Sequence, residues 1–283
     1  MSGQTSKPRN ILSTIFIALI LTIGIGLLLY PTVSNWWNEM HQSRAIADYT
    51  TAVENLKETD YDALRKEAEQ YNADLRNEES KFVPTDEMSE RYFKLLDIGG
   101  NGIMGYIEIP SINVKLPIYH GTDEAVLQIA TGHIQGSSVP VGGPSTHAAI
   151  SGHRGLTSAK LFTQLDKVTE GDMFYIHILN EILAYQVDQI NVVLPNEMDL
   201  LAIEDNKDFC TLITCTPYGV NSHRLLVRGA RIEMPTEETE QIMLPAETTQ
   251  DEDVSPAVIG AVVLIVLLVI SVAIYAKWQH TKK

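Results

Sequence analysis

Two uninterrupted apolar runs bracket the chain, Ile11 to Tyr30 and Ala257 to Ala276, each 20 residues without a charged side chain. A helix crossing the hydrocarbon core of a bilayer needs about 20 apolar residues, so both qualify as spans. The first exceeds the ~7–15-residue apolar region of a secretory signal peptide, and no small-x-small cleavage site follows it. Tyr30, Trp36 and Trp37 at its far end suit the membrane interface. We read it as an uncleaved anchor. Lys7 and Arg9 precede the first run, while Lys277, Lys282 and Lys283 follow the second. The bias of basic residues toward the cytoplasm puts both termini there and exports residues 31–256.

Between the runs the pattern changes twice. From Asn38 to about Lys94 apolar residues recur at i, i+3 and i+4 (Ala52, Val53 and Leu56, then Leu64, Ala68, Tyr71 and Leu75), and glycine is absent. This predicts two helices, the second N-capped by Asp60, with a break at Ser80 to Thr85 where Phe82-Val-Pro84 interrupts the period. A helix pair packed on the next domain is the plainer reading, and a mobile cover the sharper one. Gly99-Gly-Asn-Gly102 marks a boundary. After it come β-like runs at Ile103–Ile109, Val114–Tyr119, Ala148–Ser151, Met173–Leu179, Ile182–Val193, Phe209–Thr214 and Leu225–Glu233. Their spacing predicts a closed barrel or a sandwich, with one helical turn at Lys160 to Leu165.

The formal net charge of −15 argues against a nucleic-acid binder. Much of the excess lies in Pro235 to Val254, which holds seven acidic residues and no Lys or Arg. Such a stretch reads as a solvated linker. Cys210 and Cys215 are the two cysteines. On one strand their Cα atoms would be ~16 Å apart, beyond the ~7 Å a disulfide tolerates, and on opposite faces. One is then a buried filler and the other an exposed thiol.

A thiol near its free pKa needs a base or cation beside it to become an effective nucleophile. His41, His120, His133, His147, His153, His177 and His223 are candidates in the exported segment. His153 ends a β-run ahead of a Gly turn, which places it on a rim. Four histidines fall between 120 and 153, but neither an H-E-x-x-H nor a paired Cys-x-x-Cys spacing supports a metal. Arg224 begins the run after the Cys215 turn and reads as a surface charge, an ion-pair member or an oxyanion stabiliser; a guanidinium, which donates in a fork and stays protonated, suits the last role. Arg228 falls on the same face of the strand and Arg231 on the other. Spacing does not choose between Arg224 and Arg228.

Thr211-Leu-Ile-Thr-Cys215 resembles the Thr-Leu-x-Thr-Cys motif of sortases, membrane-anchored cysteine transpeptidases of Gram-positive bacteria. The stretches Thr214 to Gly229, Gly105-Tyr-Ile-Glu-Ile-Pro110, Leu116-Pro-Ile-Tyr-His-Gly121 and Ile150-Ser-Gly-His-Arg-Gly155 resemble the pilin-polymerising class C branch. The resemblance covers roughly residues 99–233 closely. It implies a mainly β fold, the eight-stranded sortase barrel with N-terminal helices, here flanked by two transmembrane helices. It implies Cys215 as nucleophile, His153 as acid/base and Arg224 as oxyanion and substrate stabiliser, without metal or organic cofactor. The implied substrates are pilins or surface proteins bearing an LPXTG-like signal, joined to an acceptor lysine. Housekeeping attachment to cell-wall peptide, simple cysteine proteolysis and a non-catalytic scaffold are the rivals. Many class C members carry an Asp-Pro-aromatic lid; residues 76–90 here contain no Asp-Pro, and only Phe82-Val-Pro84 approximates one. Leu244-Pro-Ala-Glu-Thr248 mimics a sorting signal, but Glu247 stands where Thr is required and no Gly follows. It reads as linker. The expected organisation is a cytoplasmic tail (1–10), an anchor (11–30), a helical region (31–98) and a catalytic barrel (99–234). An acidic linker (235–255), a second span (256–276) and a basic tail (277–283) complete it.

Overall fold

The computed structural model describes residues 11–78, 80–234 and Gly260. The second apolar span, the acidic linker, the sorting-signal mimic and both terminal tails lie outside the described residues. Among the described residues, 11–36 belong to one compact unit and 37–234 to another. Helix α1 (Ile11–Glu54) carries the first apolar run, and within Leu19–Glu54 an 18-residue window of mean hydropathy 1.5 is long and apolar enough to cross a membrane.

The helical region holds two further helices, α2 (Glu58–Arg76) and α3 (Asp86–Tyr92). Asp60 is not the N-cap that its spacing suggested. It sits in the first turn, and its carboxylate accepts the N–H of Lys57 at 3.2 Å. A carboxylate in a first turn satisfies an orphan donor and complements the helix dipole from either position. Thr85 caps α3, its hydroxyl accepting the Met88 N–H at 3.2 Å.

These helices dock through polar side chains as well as apolar ones. Asn72 on α2 exchanges two hydrogen bonds with the backbone of Val139, at 2.8 and 3.1 Å. The Tyr92 hydroxyl, fully buried, donates to the His133 carbonyl at 3.1 Å and accepts the Gly121 N–H at 2.9 Å.

Residues 103–232 form a closed barrel of eight strands: β1 (Ile103–Ile109), β2 (Val114–His120), β3 (Thr131–His133), β4 (Thr146–Ser151), β5 (Met173–Ile178), β6 (Glu181–Val193), β7 (Asp208–Thr216) and β8 (His223–Ile232). They close in the order β1-β2-β3-β4-β7-β8-β6-β5. The pairs β2/β3 and β4/β7 are parallel and the rest antiparallel. Seven strands coincide with the apolar runs. The eighth, β3, is three residues of Thr-Gly-His without a hydrophobic period. The helical turn expected at Lys160–Leu165 is a 3-10 turn shifted to Leu165–Lys167. The interior is packed by Ile118, Ile150, Phe174, Ile176, Leu212 and Val227, all fully enclosed. A smaller cluster of Ala149, Leu201, Ile213 and Leu226 covers the opposite face of β4, β7 and β8.

Two ionisable groups, His133 buried and Glu108 half-buried, make stability fall in acid. Burial holds His133 neutral by lowering its pKa to about 4, against ~6.5 for an unfolded histidine. Burial raises the Glu108 carboxyl, but hydrogen bonds from His177 and Lys115 outweigh it and hold the group at about 2. For both groups the unfolded chain takes up protons before the native state does. The His133 contribution is therefore lost as pH falls from ~6.5 to 4, and that of Glu108 as pH falls from ~4.3 to 2. Urea unfolding against pH is expected to show both slopes. H133N removes the upper one, and E108Q costs about 1–2 kcal/mol near neutrality with no difference from wild type near pH 2.

Candidate active site

Because β4 and β7 run parallel, both deliver their C-terminal ends to one rim. Ser151 lies opposite Ile213. The pairing extends one step past β4: the Gly152 N–H donates to the Ile213 carbonyl at 3.0 Å, and the Thr214 hydroxyl to the Gly152 carbonyl at 2.7 Å. His153 follows directly, at the level of Cys215. Strand β8 runs the other way and begins at the same rim, so Arg224 lies opposite Cys215 and His223 opposite Thr216.

The loop carrying His153 is held from beneath. An added Cβ on Gly152 would meet the Phe162 ring at 2.8 Å, so a larger residue would push the chain off this fully buried ring. The Phe162 N–H donates to the His153 carbonyl at 3.1 Å. Outside the loop, the short helix α4 (Glu124–Leu127) brings the Glu124 carboxylate to 3.6 Å from His153 Nε2. Glu124 is held below the usual carboxylate range first by the Gln128 amide and then by this imidazole.

Both cysteines lie on β7 as free thiols. Cys210 is enclosed in the barrel interior, and burial pushes its thiol far up. Cys215, five residues on, is half-buried at the rim. The odd spacing separates their faces as strand alternation requires.

Arg224 and Arg228 also part company. Arg228 is committed to Asp188, at 2.8 Å, and Glu204, at 3.5 Å, with its guanidinium 4.1 Å from the Phe209 ring centroid. The Arg224 guanidinium donates to the carbonyls of Asn221 and His223, at 3.3 and 3.1 Å, beside the Cys215 turn. Five other histidines are engaged elsewhere. His41 contacts the Trp37 carbonyl, and His120 those of Gly102 and Leu95. His133 contacts the Ser138 carbonyl and Tyr92, His147 the Ala202 carbonyl and Thr211, and His177 contacts Glu108. His223 pairs with Ser222 at the rim. The sequence reading missed Glu124, for which no motif gave a signal, and the role of Thr214, which the Thr-Leu-x-Thr-Cys run contained.

A half-buried thiol on a barrel rim, with a histidine and an arginine on the segments next to it, is the outline of a cysteine acyl-transfer enzyme. The sortase-domain family model matches residues 107–232. A crystal structure of sortase C1 from Streptococcus agalactiae is 50% identical, covering 68% of this chain and 100% of that one at a TM-score of 0.66. Sortase C from Clostridium perfringens, solved with the C-terminal cell wall sorting motif, is 47% identical over 68% of this chain and 100% of that one, TM-score 0.59. Sortase A of Bacillus anthracis is 26% identical over 60% of this chain and 82% of that protein. The chain belongs to the sortase family of cysteine transpeptidases. Its structural neighbours include class C sortases of several Gram-positive bacteria, at 42–50% identity.

Native alkylation checks the two environments. N-ethylmaleimide is expected to add once, at Cys215, to the folded protein and to reach Cys210 only in denaturant. Peptide mapping after brief labelling reads this out, and comparable native labelling of Cys210 would contradict the enclosure of its thiol.

Proposed function

We propose that this sortase polymerises pilins, cleaving an LPXTG-like sorting signal and joining the released carbonyl to a lysine of the next subunit. The supporting observation is the shared register that brings the ends of β4 and β7 and the start of β8 to one rim, with Cys215, His153 and Arg224 on adjacent segments. In the first step Cys215 Sγ, as thiolate, forms a bond to the Thr carbonyl of the signal. The Thr–Gly C–N bond breaks, and the His153 imidazolium gives its proton to the departing glycine amine. In the second step a lysine Nζ attacks the thioacyl carbonyl and passes its proton to His153. The C–S bond breaks, leaving an isopeptide bond and the thiolate. Arg224 donates toward the oxyanion that develops in both steps. None of these steps calls for a metal or an organic cofactor.

The solved complex of the Clostridium perfringens relative with a sorting motif supports the choice of donor. A neighbour described as sortase C1 of a pilus island supports the pilin acceptor. The apolar half of α1 supports membrane anchoring, and we extend this to two spans with the barrel outside and both termini in the cytoplasm. Attachment to cell-wall peptide and simple hydrolysis are the competing outcomes.

Full-length protein in detergent, mixed with an LPXTG-type peptide and a lysine-bearing pilin, tests the reading by mass spectrometry. A thioacyl adduct on Cys215 and an isopeptide product are expected, and both vanish in C215A. R224A is expected to lower kcat by ~10²–10³-fold with little change in Tm. R228A should lower Tm and leave kcat within about threefold. An acid product alone would make the protein a protease, and preference for a cell-wall peptide amine would make it a housekeeping enzyme.

A further inference from the structure

Arg154, the residue after His153, has a nearly enclosed side chain although nothing in the proposed chemistry requires it. Only 9% of its side-chain surface is exposed. Its Nη2 meets Asp166 Oδ2 at 2.5 Å, and its Nη1 donates to Thr216 Oγ1 at 3.4 Å. Its guanidinium carbon stands 5.7 Å from the centroid of the Tyr218 ring. Its Nε is enclosed without a hydrogen-bond partner. Burying a guanidinium with an unmet donor costs desolvation that an apolar side chain of similar length would avoid. What an apolar chain lacks is a rigid planar fork able to reach several partners at once.

The partners fall on two segments. Asp166 belongs to the same loop as His153, in the 3-10 turn Leu165–Lys167. Thr216 and Tyr218 lie one and three positions past Cys215. The Tyr218 ring also lies against the backbone beside Arg154, because a Cβ on Gly155 would stand 3.1 Å from it, and Gly155 has φ of +79°. The two segments so joined carry the imidazole and the thiol.

We propose that Arg154 is a positioning residue: it clamps the loop carrying His153 to the turn leaving Cys215 and so sets the spacing of thiol and imidazole. This rests on the roles proposed above for those two residues. The backbone bonds at Gly152 fix the loop where it leaves β4, and the guanidinium fixes it again just past the histidine. Displacements of ~1 Å at reacting atoms cost ~10²-fold in rate, so such a clamp acts on the chemical step more than on peptide binding.

The test uses full-length protein in detergent with the sorting peptide and an amine acceptor. R154A is expected to lower kcat by ~10–100-fold with KM within about twofold. R154K, which keeps the charge but not the fork, should recover part of the loss. Y218A, at a residue 60% exposed and so safe for the fold, should lower kcat ~3–10-fold. R154A/Y218A together should be no slower than R154A alone, because both break one connection. Unchanged kcat in R154A and Y218A, losses confined to KM, or losses that multiply in the double variant would overturn the proposal. If R154A does not fold, Y218A and T216V carry the same comparison. Native alkylation of Cys215 by iodoacetamide needs no substrate, and R154A should slow it severalfold relative to its own denatured rate. If wild type forms no peptide adduct, the functional reading fails. Equal alkylation rates in wild type and R154A would then still refute the clamp.

Discussion

The parallel pairing of β4 with β7 is the constraint on which the site depends. Parallel neighbours run to the same rim, so the loop leaving β4 and the thiol ending β7 emerge at that rim together. An antiparallel pair would place His153 at the far end of a six-residue strand, ~20 Å from Cys215. Register matters as much as direction. With Ser151 opposite Ile213, the interior receives Cys210 and Leu212 while Cys215 stays with Ile213 on the outer face. A slip of one residue would exchange the faces. The catalytic thiol of the proposed mechanism and the inert one thus differ in the parity of their positions and in their place along one strand: Thr211 and Ile213 share the parity of Cys215 and are buried, while Cys215 lies at the rim.

That parity was legible in the sequence, since alternation alone separates residues 210 and 215. Seven of the eight strands were legible too, because each is an apolar run bounded by turn residues. The third strand was not: Thr131-Gly-His133 has no period, and it exists because β2 and β4 leave a gap that three residues close. Barrel and sandwich could not be told apart, because closure is a property of long-range pairing between β1 and β5, which no local pattern encodes. Arg224 and Arg228 share a face, and what distinguishes them is distant in sequence. Asp188 and Glu204 come from β6 and the following loop, and they claim Arg228 while Arg224 stays beside the turn. The family resemblance chose Arg224 where spacing could not; in the barrel Arg224 lies opposite Cys215 in register.

The histidines carry the same lesson in reverse. Residue type made seven of them candidates, and hydrogen bonding to carbonyls, hydroxyls or a carboxylate occupies most. Burial keeps His133 neutral at physiological pH, so its ring serves as a packed hydrogen-bonding group. His153 is set apart by its backbone, which leaves the barrel immediately beside the end of β7.

These structural histidines help explain why the register of β4 is secure although the strand is only six residues long. His147 on β4 reaches Thr211 on β7 at 2.7 Å and the Ala202 carbonyl at 2.9 Å, crossing the strand pair with one ring. Ahead of β4, Asn72 and Tyr92 from the helices grip the backbone of Val139 and His133. Past it, Thr214 and Phe162 hold Gly152 and His153. Leaving any one of these buried groups unpaired costs ~1–3 kcal/mol, and sliding β4 by one residue would unpair several at once. The same slide would carry His153 ~3.3 Å along the strand axis, out of level with Cys215. The N-terminal helices, remote from the thiol in sequence, therefore hold the segment that leads from β3 into β4.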